Sequence, residues 1–356
     1  MRRFLMSILV FVVGAVLVVW LFQGAIAARV MSSALEINLL ADPIGDLSDG
    51  LHVTLCGAGG PLPDSSRSAP FLAIVAGSSL YLVDAGSGAA RNLIRVGFQP
   101  PQVEAVFLTH FHSDHIDGLG ELGLLRWTGG SHRLPLPIYA AEGIAEVAQG
   151  LNQAYRLDAV YRTAHHGPEI APPTGAGFRA LEFEEPALGE STIVLEKNGL
   201  RVTMFRVEHP PIVPAVGYRF DYKGRSVVVS GDTSKSKNLE HFAAGVDLLV
   251  HEALSPELMG VVQHAAEAVG NQGIAKIAVD VLDYHASPIE VAELAESAGA
   301  GHLLYYHIVP PMPIPGLASV FLAGVRDVYG GPVTLGRDGS SISLPVGSDE
   351  ILELER

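Results

Sequence analysis

Three observations predict a layered α/β fold built on mixed sheets. From Leu51 onward, short β-branched apolar runs alternate with helical stretches. Several gaps between runs are of hairpin length, Lys223-Gly224 being the clearest. Residues of metal-ligand type recur at the ends of these runs. The chain has 356 residues, 48% of them hydrophobic, which is ample for a large core.

The elements follow in chain order. Arg2 and Arg3 precede an apolar run from Phe4 to Phe22, broken only by Ser7 and Gly14. At about 1.5 Å per residue this run nearly spans a hydrocarbon core of ~30 Å. The small-residue triplet Ala25-Ile26-Ala27 then fits a cleavage site. Residues 1–28 are therefore expected to be a signal peptide or a membrane anchor, the length of the run favouring the anchor. Either role sends the rest of the chain across the membrane, because the positive end stays inside. The expected location is exported, membrane-anchored or periplasmic. Residues 29–50 read as a linker, 51–345 as the folded domain and 346–356 as a C-terminal tail.

Within the domain, strands are expected over 51–56, 72–76, 80–84, 104–108, 201–207, 215–222, 226–230, 247–251 and 302–306. Gly86-Ser87-Gly88 turns the chain after Asp84. The Pro/Gly-rich stretch from Gly167 to Gly177 reads as a long loop or boundary that would serve as a lid, with His165-His166 beside it on solvated loop. Ser287-Pro288 supplies an N-cap and a first-turn proline for a helix over Ile289–Ala298. Leu254 to Tyr284 reads as helical and carries His264.

Acidic residues outnumber basic ones 38 to 23, for a net charge of −15. Such a field repels polyanions, and no Lys/Arg cluster offsets it, so nucleic acid is not the expected partner. The single cysteine, Cys56, rules out an internal disulfide. It lies in Val53-Thr54-Leu55-Cys56 and is expected to be a buried strand residue.

The chemistry concentrates in Thr109-His110-Phe111-His112-Ser113-Asp114-His115, directly after apolar Val106-Phe107-Leu108. A strand end is a rigid platform, and imidazole nitrogen with carboxylate oxygen is a donor set that zinc accepts. One short loop can hardly aim four side chains at one ion, but it can divide them between two. His110 and His112 would serve one ion, Asp114 and His115 the other. Two metals roughly 3.5–4 Å apart activate a water and steady a leaving oxygen. Later strand ends offer further ligands. His209 follows 202–208, Asp232 follows 227–231 and His307 follows 303–306. Asp232 is the natural bridge, since a carboxylate has two oxygens.

These residues resemble the metallo-β-lactamase superfamily, in the branch holding ribonuclease Z and arylsulfatase-like hydrolases. The resemblance runs from about Leu51 to Pro311. It includes Leu55-Cys56-Gly57-Ala58-Gly59-Gly60-Pro61 with Arg67-Ser68, Asp84-Ala85-Gly86, Thr109–His115, His209 with Gly217-Tyr218-Arg219-Phe220, Ser230-Gly231-Asp232-Thr233, His251-Glu252-Ala253, His285-Ala286-Ser287 and His307. It implies an αββα sandwich of the metallo-β-lactamase type with two zinc ions at one sheet edge. Manganese or iron would suit the same ligands. His110, His112 and His209 would hold one ion, and Asp114, His115 and His307 the other, with Asp232 bridging. His285, held by Glu252, would protonate the leaving oxygen. Asp114, His285 and Glu252 are thus the expected catalytic residues. The branch also implies a homodimer.

The expected function is a metal-dependent hydrolase that cleaves phosphodiester or sulfate ester bonds of a small-molecule ester substrate through a zinc-activated hydroxide. A ribonuclease Z-type endoribonuclease for transfer-RNA 3' ends is the first alternative, weighed down by export and acidity. A lactonase or β-lactamase-like hydrolase is the second, although neither needs the His-Ala-Ser element. A membrane-anchored metal-binding scaffold without turnover is the third.

Overall fold

The computed structural model describes residues 2–356. The Val-, Ile- and Leu-rich runs pair into two mixed sheets. The first has eight strands: β1 (Gly50–Gly57), β2 (Phe71–Ala76), β3 (Ser79–Val83), β4 (Val103–Phe107), β5 (Leu136–Ala141), β6 (Phe178–Phe183), β14 (Ser340–Pro345) and β15 (Leu352–Glu355). Their order is β15-β14-β1-β2-β3-β4-β5-β6. The second has seven: β7 (Ser191–Lys197), β8 (Leu200–Arg206), β9 (Val216–Tyr222), β10 (Arg225–Val229), β11 (Leu248–Leu254), β12 (His302–Val309) and β13 (Val333–Leu335), in the order β13-β12-β11-β10-β9-β8-β7. Each sheet is antiparallel on one side and parallel on the other. The switch falls at β3 in the first sheet and at β10 in the second.

The facing sides of the sheets share one core. Leu51, Val53, Ile74 and Phe107 from the first meet Val202, Met204, Phe220, Val227 and Leu304 from the second. Phe107 is its aromatic centre, 5.0 Å from the Tyr139 ring and 5.5 Å from those of Tyr218 and Phe220. Helices α2 (Ala89–Arg95), α4 (Leu119–Gly130) and α5 (Ile144–His166) cover the outside of the first sheet, and the short α3 (Ser113–Ile116) precedes α4. A second apolar cluster joins the outside of the second sheet to α6 (Lys237–Phe242), α9 (Pro288–Ala298), α10 (Leu317–Phe321) and α11 (Val325–Val328). Between β11 and α9 the chain forms α7 (Pro256–Ala268) and α8 (Gln272–Asp280), packed on each other. The layers are α, β, β, α, as the resemblance implies.

The chain divides into two compact units, Met1–Asp46 and Leu47–Arg356. The first is dominated by α1 (Arg2–Leu40), whose stretch Arg3–Ile37 is long and apolar enough to cross a membrane. Its large side chains, Phe11, Trp20 and Phe22 among them, are exposed. Of the stretch expected as a linker, residues 29–40 are helical.

Every expected strand is present within a few residues, and Cys56 is buried in β1 as a free thiol. The Ser287 side chain caps α9 in a capping box with Glu290. Three expectations are corrected. The stretch 346–356 is not a loose tail. Its Leu352–Glu355 segment pairs antiparallel with β14 as an edge strand, too short for its alternation to register as a pattern. Gly167–Gly177 is not a free lid but is pinned to the helical layer. The Trp127 indole N–H donates to the Pro172 carbonyl (2.8 Å), and the Thr163 hydroxyl donates to that of Ala171 (2.9 Å). His165 and His166 form the last turn of α5 and are exposed, not loop residues.

Phe107 touches both sheets, so Phe107→Ala should cost about 3–5 kcal/mol through lost burial and the cavity left behind. Urea unfolding followed by tryptophan fluorescence would show it as a lowered midpoint with little change in slope.

Candidate metal centre

The site forms where β4, β8, β10 and β12 end at one edge of the two sheets. Just past β4, the Thr109 N–H and hydroxyl both donate to the carboxylate of Asp84 (2.9–3.1 Å). Asp84 is fully buried after β3 and adopts a left-handed φ of 60°. Its Oδ2 also accepts from His115 Nδ1 at 2.9 Å. That bond fixes the His115 tautomer and turns its Nε2 toward the centre. His110 and His112 leave the strand on extended backbone, with His110 Nε2 3.0 Å from His112 Nδ1. The single turn of α3 then rotates Asp114 and His115 to the other side of the centre.

The remaining side chains arrive from the second sheet. His209 follows β8, and its Nδ1 donates to the Tyr284 carbonyl at 2.8 Å. Asp232 follows Gly231, whose φ of 64° and tight packing exclude a side chain. A Cβ there would lie 2.8 Å from both Thr109 Cβ and the Val216 carbonyl oxygen. His307 sits within β12 at φ 44°, beside the register shift where β12 pairs with β11. Strain of this kind persists where the surrounding structure over-determines it.

All seven side chains expected as ligands converge. His110, His112, His209 and Asp232 offer donor atoms within 4.8 Å of one another, as do Asp114, His115 and His307. Asp232 Oδ2 lies 3.7 Å from His110 Nε2, 3.4 Å from His115 Nε2, 4.0 Å from His209 Nε2 and 3.2 Å from His307 Nε2. It therefore stands between the two groups. Asp114 Oδ2 lies 3.5 Å from His115 Nε2 and 3.4 Å from His307 Nε2.

The donor set fits divalent cations. The inward-facing atoms Asp114 Oδ2, His115 Nε2, His209 Nε2, Asp232 Oδ1 and His307 Nε2 are buried without a hydrogen-bond partner. Orphaned buried polar atoms are costly, and here they aim at shared points with the nitrogen and oxygen donors zinc accepts. The protonation states differ between the two groups, and a cation in the second would displace protons from its imidazoles. Burial holds His110, His112 and His209 below the usual imidazole range, leaving neutral rings with lone pairs to give. Burial also opposes charge on His115 and His307, but Asp232 overcomes it, joined by Asp84 for the first and Asp114 for the second, and raises both. Asp232 is held well below the carboxylate range against its own burial, first by His307 and then by His115.

His285 stands beside this cluster, its ring stacked 5.6 Å from His307. Its Nδ1 is 3.0 Å from Glu252 Oε1, an oxygen that also accepts from the Thr233 and Ala286 N–H groups. Burial opposes its charge, but the Glu252 carboxylate outweighs that and pushes the imidazole up to about 9. The Glu252 pairing thus favours the protonated ring. His264 lies on α7, exposed, with its Nδ1 bonded to the Gly260 carbonyl.

Three contributors escaped the reading of residue types. Asp84 and Thr109 hold His115 and the metal loop, and the Tyr284 carbonyl holds His209. Asp84 had a signal, a carboxylate at a strand end just before Gly86. A backbone carbonyl 75 residues from the ring it orients leaves none.

Residues 80–308 match the family described as "Beta-lactamase superfamily domain". Ribonuclease Z of Mycolicibacterium gilvum is 34% identical over 299 residues, covering 83% of this chain and 97% of that protein. Ribonuclease Z of Mycobacterium avium is 33% identical over 290 residues, covering 81% and 96%. Two solved structures share the fold. The metallo-β-lactamase-fold protein YhfI from Bacillus subtilis superposes with a TM-score of 0.60 at 22% identity, over 83% of this chain and all of that one. Human tRNase Z, short form, superposes with 0.58 at 20% identity, over 83% and 99%.

The relatives named for ribonuclease activity overturn the expectation of a small-molecule ester as partner in preference to nucleic acid. Net charge sums the whole surface, whereas a phosphate meets one local field. A divalent cation in each ligand group, set against Asp114 and Asp232, would leave positive charge there, beside the His285 imidazole.

Asp232 touches both groups, so Asp232→Asn should weaken both sites at once, whereas His209→Ala should weaken the first group only. Elemental analysis after dialysis against dilute zinc would show the difference. In the wild type, zinc at ~100 times its dissociation constant should stabilise the fold by about 2.7 kcal/mol for each site filled, read as a rise in melting temperature that a chelator reverses.

Proposed function

We propose, on the premise that this chain belongs to the metallo-β-lactamase superfamily, in the ribonuclease Z branch, that it is a two-metal endoribonuclease cleaving RNA phosphodiester bonds. The chain is a hydrolase of the metallo-β-lactamase fold. The observation that carries the RNA reading is one-third identity to ribonuclease Z over more than four-fifths of the chain. The geometry supports it through two ligand groups that share Asp232, with a protonated imidazole beside them.

Each residue has a task. His110, His112, His209 and Asp232 would hold one ion, and Asp114, His115, His307 and Asp232 the other, with zinc the best match to these donors. Bound there, the metals would supply neutralising charge for the phosphate and acidify a water. Asp84, Thr109 and the Tyr284 carbonyl keep ligand rings in register, which costs nothing further when substrate arrives. His285 carries a proton at neutral pH. In position to give it to the departing ribose oxygen, it avoids expelling a bare alkoxide. Glu252 keeps that proton in place and offsets the imidazolium charge. No relative described above carries the sulfate-ester reading.

We propose further that α1 tethers the folded unit to a membrane. Its apolar length supports this, and the Arg2-Arg3 flank sets the unit on the side opposite those charges. The RNA it meets is then drawn from that compartment. Alkaline carbonate should leave the chain in the membrane pellet. Release into the supernatant would mean that the helix is removed or does not insert.

The function is tested with full-length, zinc-loaded chain on a 3'-extended transfer-RNA precursor and an unstructured RNA. Cleavage that chelation abolishes is expected, and absence of cleavage on both would overturn the RNA reading. His285→Ala should lower kcat by about 10²–10⁴-fold. Glu252 raises the His285 pKa, and activity is lost as that proton leaves on the alkaline side. Glu252→Gln should therefore move the alkaline limb of the rate profile to lower pH.

A further inference from the structure

We propose that the Tyr284 ring is a stacking platform for the nucleobase next to the scissile phosphate, a residue that sets substrate class; the proposal rests on the RNA reading above. The chain reaches Tyr284 from the α7–α8 hairpin through one turn at Val281–Asp283. Its backbone is committed, because the carbonyl orients the His209 ring. Its side chain has no part in that task, since any residue would supply the same carbonyl. Yet the ring is placed with care. It meets the His209 ring edge-on at 5.0 Å and 82°, and it lies 4.8 Å from the His285 ring at 47°.

Those two imidazoles are the candidate ligand and the candidate acid that flank the reacting phosphate. A ring packed against both is held beside the candidate metal centre. It is only half-buried, so part of its surface stays open to a ligand. Two rotatable bonds, already restrained by neighbouring rings, leave little entropy to lose on binding. The preceding residue, Asp283, is exposed and repels the phosphate backbone from this wall. What meets the ring is then a base. Every base has a π face, so such a platform accepts any sequence but rejects phosphodiesters without a ring beside the scissile bond.

The test uses the full-length chain in detergent, loaded with zinc, and a synthetic RNA cleaved at one mapped bond. Two companion RNAs carry an abasic ribose, one at each nucleotide flanking that bond. Tyr284→Ala should raise KM for the intact RNA about 5- to 100-fold, with kcat within about twofold of wild type. Tyr284→Phe and Tyr284→Trp should restore KM. On one abasic RNA the wild type and the alanine variant should become equal, because the stacking partner is gone. Zinc content should match in all four proteins. An unchanged KM in Tyr284→Ala, or a loss that persists on both abasic RNAs, or a loss that follows missing zinc, would overturn the platform while leaving the RNA reading intact. If the wild type cleaves no RNA, both fall together.

Discussion

The structure depends on one buried carboxylate set among four imidazoles. Asp232 Oδ2 is within 4.0 Å of Nε2 atoms of His110, His115, His209 and His307, which come from both sheets. An ionised carboxylate would be prohibitively expensive at this depth without opposing charge. The surrounding chain is arranged to meet that demand. Gly231 lets the chain turn at a point where a side chain would strike Thr109 and the Val216 carbonyl. Val216 in turn donates its N–H to the Thr109 carbonyl, tying the second sheet to the metal loop of the first. The packing of the sandwich and the placement of the site are therefore one problem. Phe107 anchors the core two residues before the chain turns into Thr109.

Asp84 is the counterpart on the other side. It is buried, faces the metal loop, and shares its oxygens between Thr109 and His115. A histidine that donates Nδ1–H to a carboxylate presents a more basic Nε2 lone pair, which suits a cation. Glu252 repeats the device with His285, but to the opposite end. There the nitrogen away from the carboxylate keeps its proton, because Glu252 holds the imidazole up to about 9. The same pairing of imidazole and carboxylate thus yields a donor of electrons within the ligand groups and a donor of protons beside them. In the proposed reaction, proximity to cations in the one case, and to a departing oxygen in the other, would decide which.

Much of this was legible in the sequence, for physical reasons. Four ligand-type residues within His110–His115, after an apolar strand, have few structural explanations, and later strand ends added His209, Asp232 and His307. The central strands were legible because they are buried on both faces and read as continuous apolar runs. The sheet margins were not. β7 (Ser191–Lys197) and β15 (Leu352–Glu355) are largely exposed edge strands with charged residues, and β13 is three residues long. β5 begins with Leu136-Pro137, which reads as a turn until its parallel neighbours are known. The positions that orient ligands were harder still. Asp84 resembles any strand-end carboxylate, and the carbonyl of Tyr284 carries no residue-type signal.

The substrate class was misread for a different reason. A net charge of −15 describes how the whole molecule repels a polyanion at a distance, where salt already screens beyond about 10 Å. It says little about the few ångströms around Asp232. There the sign depends on how many cations the seven ligand residues hold and on a proton kept by Glu252. Under the proposed RNA activity, a chain acidic overall but holding cations at one edge would attract RNA weakly along its length and strongly at the reacting phosphate. Affinity must then come from contacts close to the centre rather than from a basic tract. The wall nearest the centre on this side is built by the hairpin of α7 and α8, which ends in Tyr284. One residue of that hairpin both orients a candidate metal ligand through its backbone and presents an aromatic face beside it. On the proposed platform role, ligand geometry and substrate selection would be linked, because a shift of this turn would change both.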